Sequence, residues 1–372
     1  QQLRLIKTLG LRICSICSLN GSKPTREGKN TATLIGQRNM TLQETATPTI
    51  LRRLYNMKHI YITNCSPDGG IYHYALNGEK LVFCDKLTLD RPMYTVIKNN
   101  KAYILLRDSG NGNGGLITCG IDKNGTLHKD SEALSSKGIV PCHLCVGKDN
   151  TVYIVNYLSG NIVKMPDREV KHKGMGVNLP RQDSAHTHFA AFSPDGNYIL
   201  CTDLGLDTVF VYDSELNEVS KENVPSGGGC RHLVFSENGK YVYCVNELSN
   251  NVSVLSFNLG KLKLLDTFDS IPEFKGKSTS AAIRLKDGYL YVSHRGADCI
   301  SRFKAENERL TLLDNTPCGG VDPRDFDITD NLLICANEGG NVSVLRLENS
   351  KPEFIYSFDL KGDPLCVSFY EN

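Results

Sequence analysis

Tryptophan is absent from the 372 residues, and methionine occurs only five times. The Trp-Asp and Gly-His signatures of repeat scaffolds built for protein binding are therefore missing. No apolar run approaches the ~18 residues of a membrane-spanning helix. A formal net charge of +1 gives no electrostatic support to a nucleic-acid or membrane-surface role. No Gly-x-Ser-x-Gly elbow is present and no cysteine stands in an evident Cys-His arrangement, so the chemistry calls for no side-chain nucleophile. Helical periodicity is almost lacking, which weakens every α/β alternative.

Charge is unevenly spread. Residues 1–56 hold nine Lys or Arg against two Glu, whereas residues 57–372 hold 33 against 39. The first segment reads as a basic extension outside the fold, with a faint likeness to an organellar transit leader. Fourteen cysteines are scattered singly through apolar strand patterns such as Tyr-Val-Tyr-Cys244-Val. They read as buried reduced thiols in a soluble, cytoplasmic protein rather than as a disulfide framework. Cys14 and Cys17 form a CxxC with no second ligand pair at zinc-site spacing.

What is present is a repeat. From Met57 a β-rich stretch ending in a polar residue recurs seven times, as HIYITN64, AYILLR107, VYIVN156, YILCTD203, YVYCVN246, LYVSH294 and LLICAN337. Turn signals such as Asp195-Gly196, Asn238-Gly239 and Asp287-Gly288 precede most copies, and alternating patterns such as NNVSVLSF and KLKLLDTF follow several. Four strands in about 45 residues is the period of a propeller blade. DPLCVSFYEN at the C-terminus supplies one inner-strand pattern without successors, and Lys58–Ile62 opens with a second. The expected fold is an all-β, seven-bladed propeller over 57–372, with four-stranded antiparallel blades, closed by joining the two ends.

Residues equidistant from a hairpin turn face each other. Folding at Asn238-Gly239 sets Arg231 opposite Asn246 and Glu247. The same rule sets His188 opposite Asp203, Ala281 opposite His294 and Arg295, and Arg324 opposite Asn337. These positions lie at the open ends of their hairpins, so His188, Arg231, His232, Glu247, Arg295 and Arg324, with His143, should gather at one channel mouth. Guanidiniums with a carboxylate and an imidazole suit a small anionic substrate. An Arg opposite a Glu across a hairpin is also a common structural pair.

His186 and His188 form an HxH that points two imidazoles to one strand face, but no third ligand follows at clear spacing, so no metal site is expected. The run Ser109–Gly115 leads into a strand and reads as a hairpin loop rather than a nucleotide cradle.

Gly229-Cys230-Arg231-His232 with Asn246-Glu247-Leu248 closely resembles the motifs of the cycloisomerase-2 or lactonase family of seven-bladed propellers. HFAAFSPDG from His188, Ser280-Ala281-Ala282-Ile283 with Ser293-His294-Arg295, and Asp322-Pro323-Arg324-Asp325-Phe326 add to the likeness. Cys230 stands where the family motif has Pro, and Ser236-Glu237-Asn238-Gly239 replaces its usual S-P-D-G. The resemblance implies cofactor-free, metal-independent hydrolysis of 6-phospho-D-glucono-1,5-lactone in the pentose phosphate route. It assigns catalysis to His188, Arg231, Glu247 and Arg295, and His232, Asn246, Arg324 and His143 would bind the substrate, a small anionic sugar lactone. The base for water would be Glu247 or His188, with Glu247 preferred because Arg231 keeps it ionised. A related lactonase or muconate-lactonising cycloisomerase would share this rim, and a non-catalytic scaffold is the remaining class.

Overall fold

A computed structural model describes residues 58–110 and 112–371, all of them in strands, turns or irregular backbone. The expectations for residues 1–57, the basic extension and the CxxC among them, lie outside the described residues. Seven antiparallel sheets form, one per repeat. Their innermost strands are Pro92–Lys98, Pro141–Val146, Thr187–Phe192, Cys230–Phe235, Thr279–Lys286, Pro323–Thr329 and Pro364–Glu371, and these open the first to sixth blades and the closing blade. Each inner strand touches the next, so the ring is complete. In the first blade an extra short strand, Leu134–Ser135, pairs with the third strand, Gly115–Ile121.

Closure comes from both ends of the propeller chain. Lys58–Asn64 pairs with Pro364–Glu371, from Lys58 opposite Glu371 to Asn64 opposite Pro364. This removes the edge that an open ring would expose. Apolar side chains of adjacent blades interlock between the sheets. Ile60 and Ile62 of the closing blade pack with Ile334, Val342 and Val344 of the sixth. Leu200 and Val211 of the third pack with Val242 and Leu255 of the fourth. Each such buried aliphatic contributes roughly 1.5–3 kcal/mol. All twelve described cysteines are free and most are buried in these layers, matching the expected reduced thiols.

The tight turns lie where expected, with Gly196, Gly239 and Gly288 at φ +79°, +68° and +74°, values that a side chain resists. Lys101–Leu106 and Gly115–Ile121 of the first blade pair antiparallel, as the hairpin reading of the Ser109–Gly115 run requires.

The hairpin arithmetic errs by one residue, and for the same reason in each blade. Cys230, not Arg231, faces Asn246; Thr187, not His188, faces Asp203; Ser280 faces His294 and Thr279 faces Arg295; Pro323, not Arg324, faces Asn337. Every inner strand carries a β-bulge just after this pair. The extra residue is Met93, Cys142, His188, Arg324 or Leu365, and Arg231-His232 and Ala281-Ala282 occupy the bulges of the fourth and fifth blades. A bulge bends its strand and re-aims a side chain. Here it aims them at the channel.

Candidate active site

At that level of the channel lies a small cavity of about 10 Å³. Seven bulge residues line it: Met93, Cys142, His188, Arg231, His232, Arg324 and Leu365, together with Tyr94 and Asp325. The repeated irregularity thus builds the wall, and the third, fourth and sixth blades make it polar.

Glu247 sits just past the second strand of the fourth blade, Tyr241–Asn246. Its N–H donates to Gly229 O at 2.7 Å and its carbonyl accepts from Ser280 N at 3.0 Å, so two blades fix its backbone. Gly229 permits this approach, with φ +69° and a Cβ position that Leu248 would occupy. The carboxylate is 2% exposed. Oε2 lies 3.0 Å from Arg231 Nε and 3.1 Å from Arg295 Nη2, and Oε1 lies 2.5 Å from Arg181 Nη2. Burial alone would raise its pKa, but Arg295, Arg231, His188 and Arg181 together hold it well below the usual carboxylate range.

Three guanidiniums on one carboxylate leave surplus positive charge and surplus donors. Arg231 Nε and Arg295 Nε and Nη2 are buried with no aligned hydrogen-bond acceptor, despite their proximity to Glu247. Arg231 spends Nη1 on Ala281 O at 2.8 Å and on His232 Nε2 at 3.2 Å. Because arginine only donates, His232 Nε2 must accept, which places the His232 proton on Nδ1. That Nδ1 is also buried without a partner, as is Nδ1 of His188. Arg231 Nε and Arg295 Nη2 still face Glu247 Oε2 at 3.0 and 3.1 Å, whereas Arg295 Nε and the two Nδ1 atoms have no protein partner and can hydrogen-bond to water or a bound molecule. Burial, with Arg295 next, brings Arg231 down to about 10. Burial and then Arg231 push His188 and His232 well below 6.5, so both imidazoles are neutral at pH 7.

His188, Arg231, Glu247, Arg295, His232 and Arg324 are therefore brought together. Arg324 lines the pocket but is paired to Glu338 Oε2 at 3.1 Å. Two expected binding residues do not join them. Asn246 is fully buried and donates to Asn251 Oδ1 at 2.7 Å and Ser253 Oγ at 2.8 Å, inside its own blade. Asn337 makes the same link to Ser343, so an Asn closing the second strand is a staple for the next hairpin. His143 is wedged between Tyr94 and Phe189, with ring centroids 4.5 and 4.0 Å away, behind the pocket wall. His186 turns aside to Tyr157 O and Asp183, each at 3.0 Å. Among the described residues, no three His, Cys, Asp or Glu side chains are grouped for a metal.

Arg181 and Tyr157 escaped the sequence reading. Arg181 belongs to no repeat, and it reaches Glu247 from the connection between the second and third blades. Four of the seven bulges announce themselves by a proline directly before them, Pro92, Pro141, Pro323 and Pro364, since a proline in a sheet favours strand starts and bulges.

Ring and pocket together describe a seven-bladed propeller with a cluster of arginines, histidines and one buried carboxylate at its channel. Comparison with known proteins gives the particular family: the family described as Lactonase, 7-bladed beta-propeller, matches residues 59–369, and the chain belongs to it. An uncharacterized protein of Staphylococcus aureus strain N315 is 36% identical over 309 residues, 76% of this chain and 89% of its own length. A Lactobacillus plantarum protein of solved structure is similar with a TM-score of 0.78 at 27% identity, over 85% of this chain and all of the other. A candidate 6-phosphogluconolactonase from Bacteroides uniformis gives 0.76 at 25% identity, over 85% and 100%.

Proposed function

We propose that the protein hydrolyses 6-phospho-D-glucono-1,5-lactone to 6-phosphogluconate. The observation that carries this reading is the cluster of Arg181, Arg231 and Arg295 on the single carboxylate of Glu247, next to a cavity lined by Arg231, Arg324 and neutral His188. The family supplies lactone chemistry, and the surplus charge favours a lactone that bears an anionic group.

The groups divide the work as follows. The lactone carbonyl oxygen accepts from Arg231 and Arg295, which hold their charge where the oxyanion develops. Water attacks the carbonyl carbon as a base takes its proton, and the C=O electron pair moves onto oxygen. Collapse restores C=O and breaks the bond to the ring oxygen, which leaves as a hydroxyl after receiving the proton back. Glu247, stabilised by three cations, is a weak base suited to holding the guanidiniums. His188, neutral and with a free Nδ1, is the better candidate for moving the proton.

The test is a coupled assay on fresh lactone, with spontaneous hydrolysis as the baseline. Wild type should exceed that baseline, and Arg231→Met should lose about 10²–10³-fold in kcat, as for loss of one oxyanion donor. A wild type no faster than the blank overturns the reading.

A further inference from the structure

The connection over residues 172–186 is the longest of the seven between blades, and long ordered loops tend to carry function. One end of it is fixed. Gln182 is fully buried, its Nε2 donates to Leu204 O at 2.8 Å and Asp207 Oδ1 at 2.7 Å, and its Oε1 accepts from Asn178 N at 2.9 Å. Arg181 is the residue next to this anchor, so its backbone is placed over the mouth.

The three guanidiniums around Glu247 are not equivalent. The Arg231 side chain is 3% exposed and that of Arg295 16%, but that of Arg181 is 44% exposed. Arg181 is thus the one of the three most open to solvent. Arg181 already has the partners of a gatekeeping cation, Glu247 Oε1 at 2.5 Å and the Tyr157 hydroxyl. Arg324, by contrast, is engaged by Glu338. Glu247 would keep Arg231 and Arg295 if Arg181 left it, so the exchange strands no charge.

We propose that Arg181 is the specificity-determining residue that binds the substrate's phosphate monoester, trading Glu247 Oε1 for phosphate oxygens, while Arg231 and Arg295 serve the carbonyl. This rests on the lactonase reading above. The planar fork of a guanidinium matches two oxygens of a phosphate, and its rim position leaves the buried pair free for the reacting bond. Losing Arg181 also alters the field on Glu247, but that acts on every lactone alike. The ratio between a phosphorylated and an unphosphorylated lactone isolates the phosphate contact.

The experiment measures kcat and KM for 6-phosphogluconolactone and glucono-1,5-lactone with wild type, Arg181→Met and Arg181→Lys, and competitive inhibition by inorganic phosphate. In Arg181→Met the preference for the phosphorylated lactone should fall about 10–100-fold, chiefly through KM, the loss expected for one charged hydrogen-bonding partner. Arg181→Lys should recover part of it, and phosphate should inhibit Arg181→Met more weakly. An unchanged preference with unchanged phosphate inhibition overturns the assignment while leaving lactonase activity standing. Failure of wild type on both lactones overturns the functional reading itself.

Discussion

Two ion clusters share the inner strands of this propeller, and their charge ratios are opposite. Around Glu247, three guanidiniums attend one carboxylate. Around Arg284, two carboxylates attend one guanidinium: Asp325 Oδ1 lies 2.9 Å from Nη2 and Asp327 Oδ1 3.3 Å from Nε. The Arg284 guanidinium also covers the Phe326 ring at 5.6 Å, and none of its nitrogens is an orphan. Burial would lower the Arg284 pKa, but Asp325 and Asp327 outweigh it and raise it. Burial and then Arg295 lower that of Arg231. One cluster has an excess of carboxylates over cations and the other an excess of cations over carboxylates, so under the proposed function the first stabilises the channel and the second is the one fitted to an anion.

The comparison breaks most sharply at Arg284. Arg284→Met leaves Asp325 and Asp327 without their cation, and unfolding free energy at pH 7 should fall about 3–5 kcal/mol in urea titration. The sign of its pH dependence follows from Asp327, whose folded pKa is already raised above 3.8, by burial first, although Arg284 opposes the rise. Without Arg284 it rises further, so the folded state takes up protons more readily than the unfolded chain. The deficit of the variant should shrink as pH is lowered from 7 toward 4.

Arg231→Met is the counterpart and should do the reverse. Glu247 retains Arg181 and Arg295, and a cation disfavoured by its surroundings is gone. Stability should stay within about 1 kcal/mol of wild type or rise, while the lactonase assay loses 10²–10³-fold. A stability loss as large as that of Arg284→Met would erase the distinction between the clusters.

The blade count, the closing seam and the meeting of Arg231 with Glu247 were legible because they rest on strand period and turn position, which are local. The side on which each residue points was less so. A bulge shifts register by one residue and is decided by how neighbouring inner strands crowd the axis, yet the prolines before Met93, Cys142, Arg324 and Leu365 were its visible trace. Asn246 misled because its motif neighbours are functional while its own amide serves the turn. Arg181 lies outside the repeat, on a loop whose course depends on the burial of Gln182, and no periodicity foretells that. His143 occupies the right blade but sits behind the wall, where Tyr94 and Phe189 enclose it.

The two candidate bases are separated by the pH profile, whose shifts are the smallest changes expected. Burial lowers the His188 pKa well below 6.5, and Arg231 lowers it further, so as a base His188 is competent at and above neutrality and fails only as pH falls through its depressed pKa. The acid limb of kcat/KM should therefore have its midpoint below that of free imidazole, and His188→Asn should abolish it along with most activity. Removing Arg231 or adding salt to screen its field should move the limb upward. Folding carries the same sign. His143, His188 and His232 all have lowered folded pKa values, chiefly by burial, so their contribution is present above 6.5 and lost as pH falls below it. The slope is roughly 1.4 kcal/mol per pH unit for each imidazole charged only in the unfolded chain. An activity limb that survives in His188→Asn would instead give the proton transfer to Glu247. Loss of Arg231 raises both pKa values, so the two cases are separated by the His188→Asn profile and by position, since a Glu247 limb would lie below the usual carboxylate range in wild type.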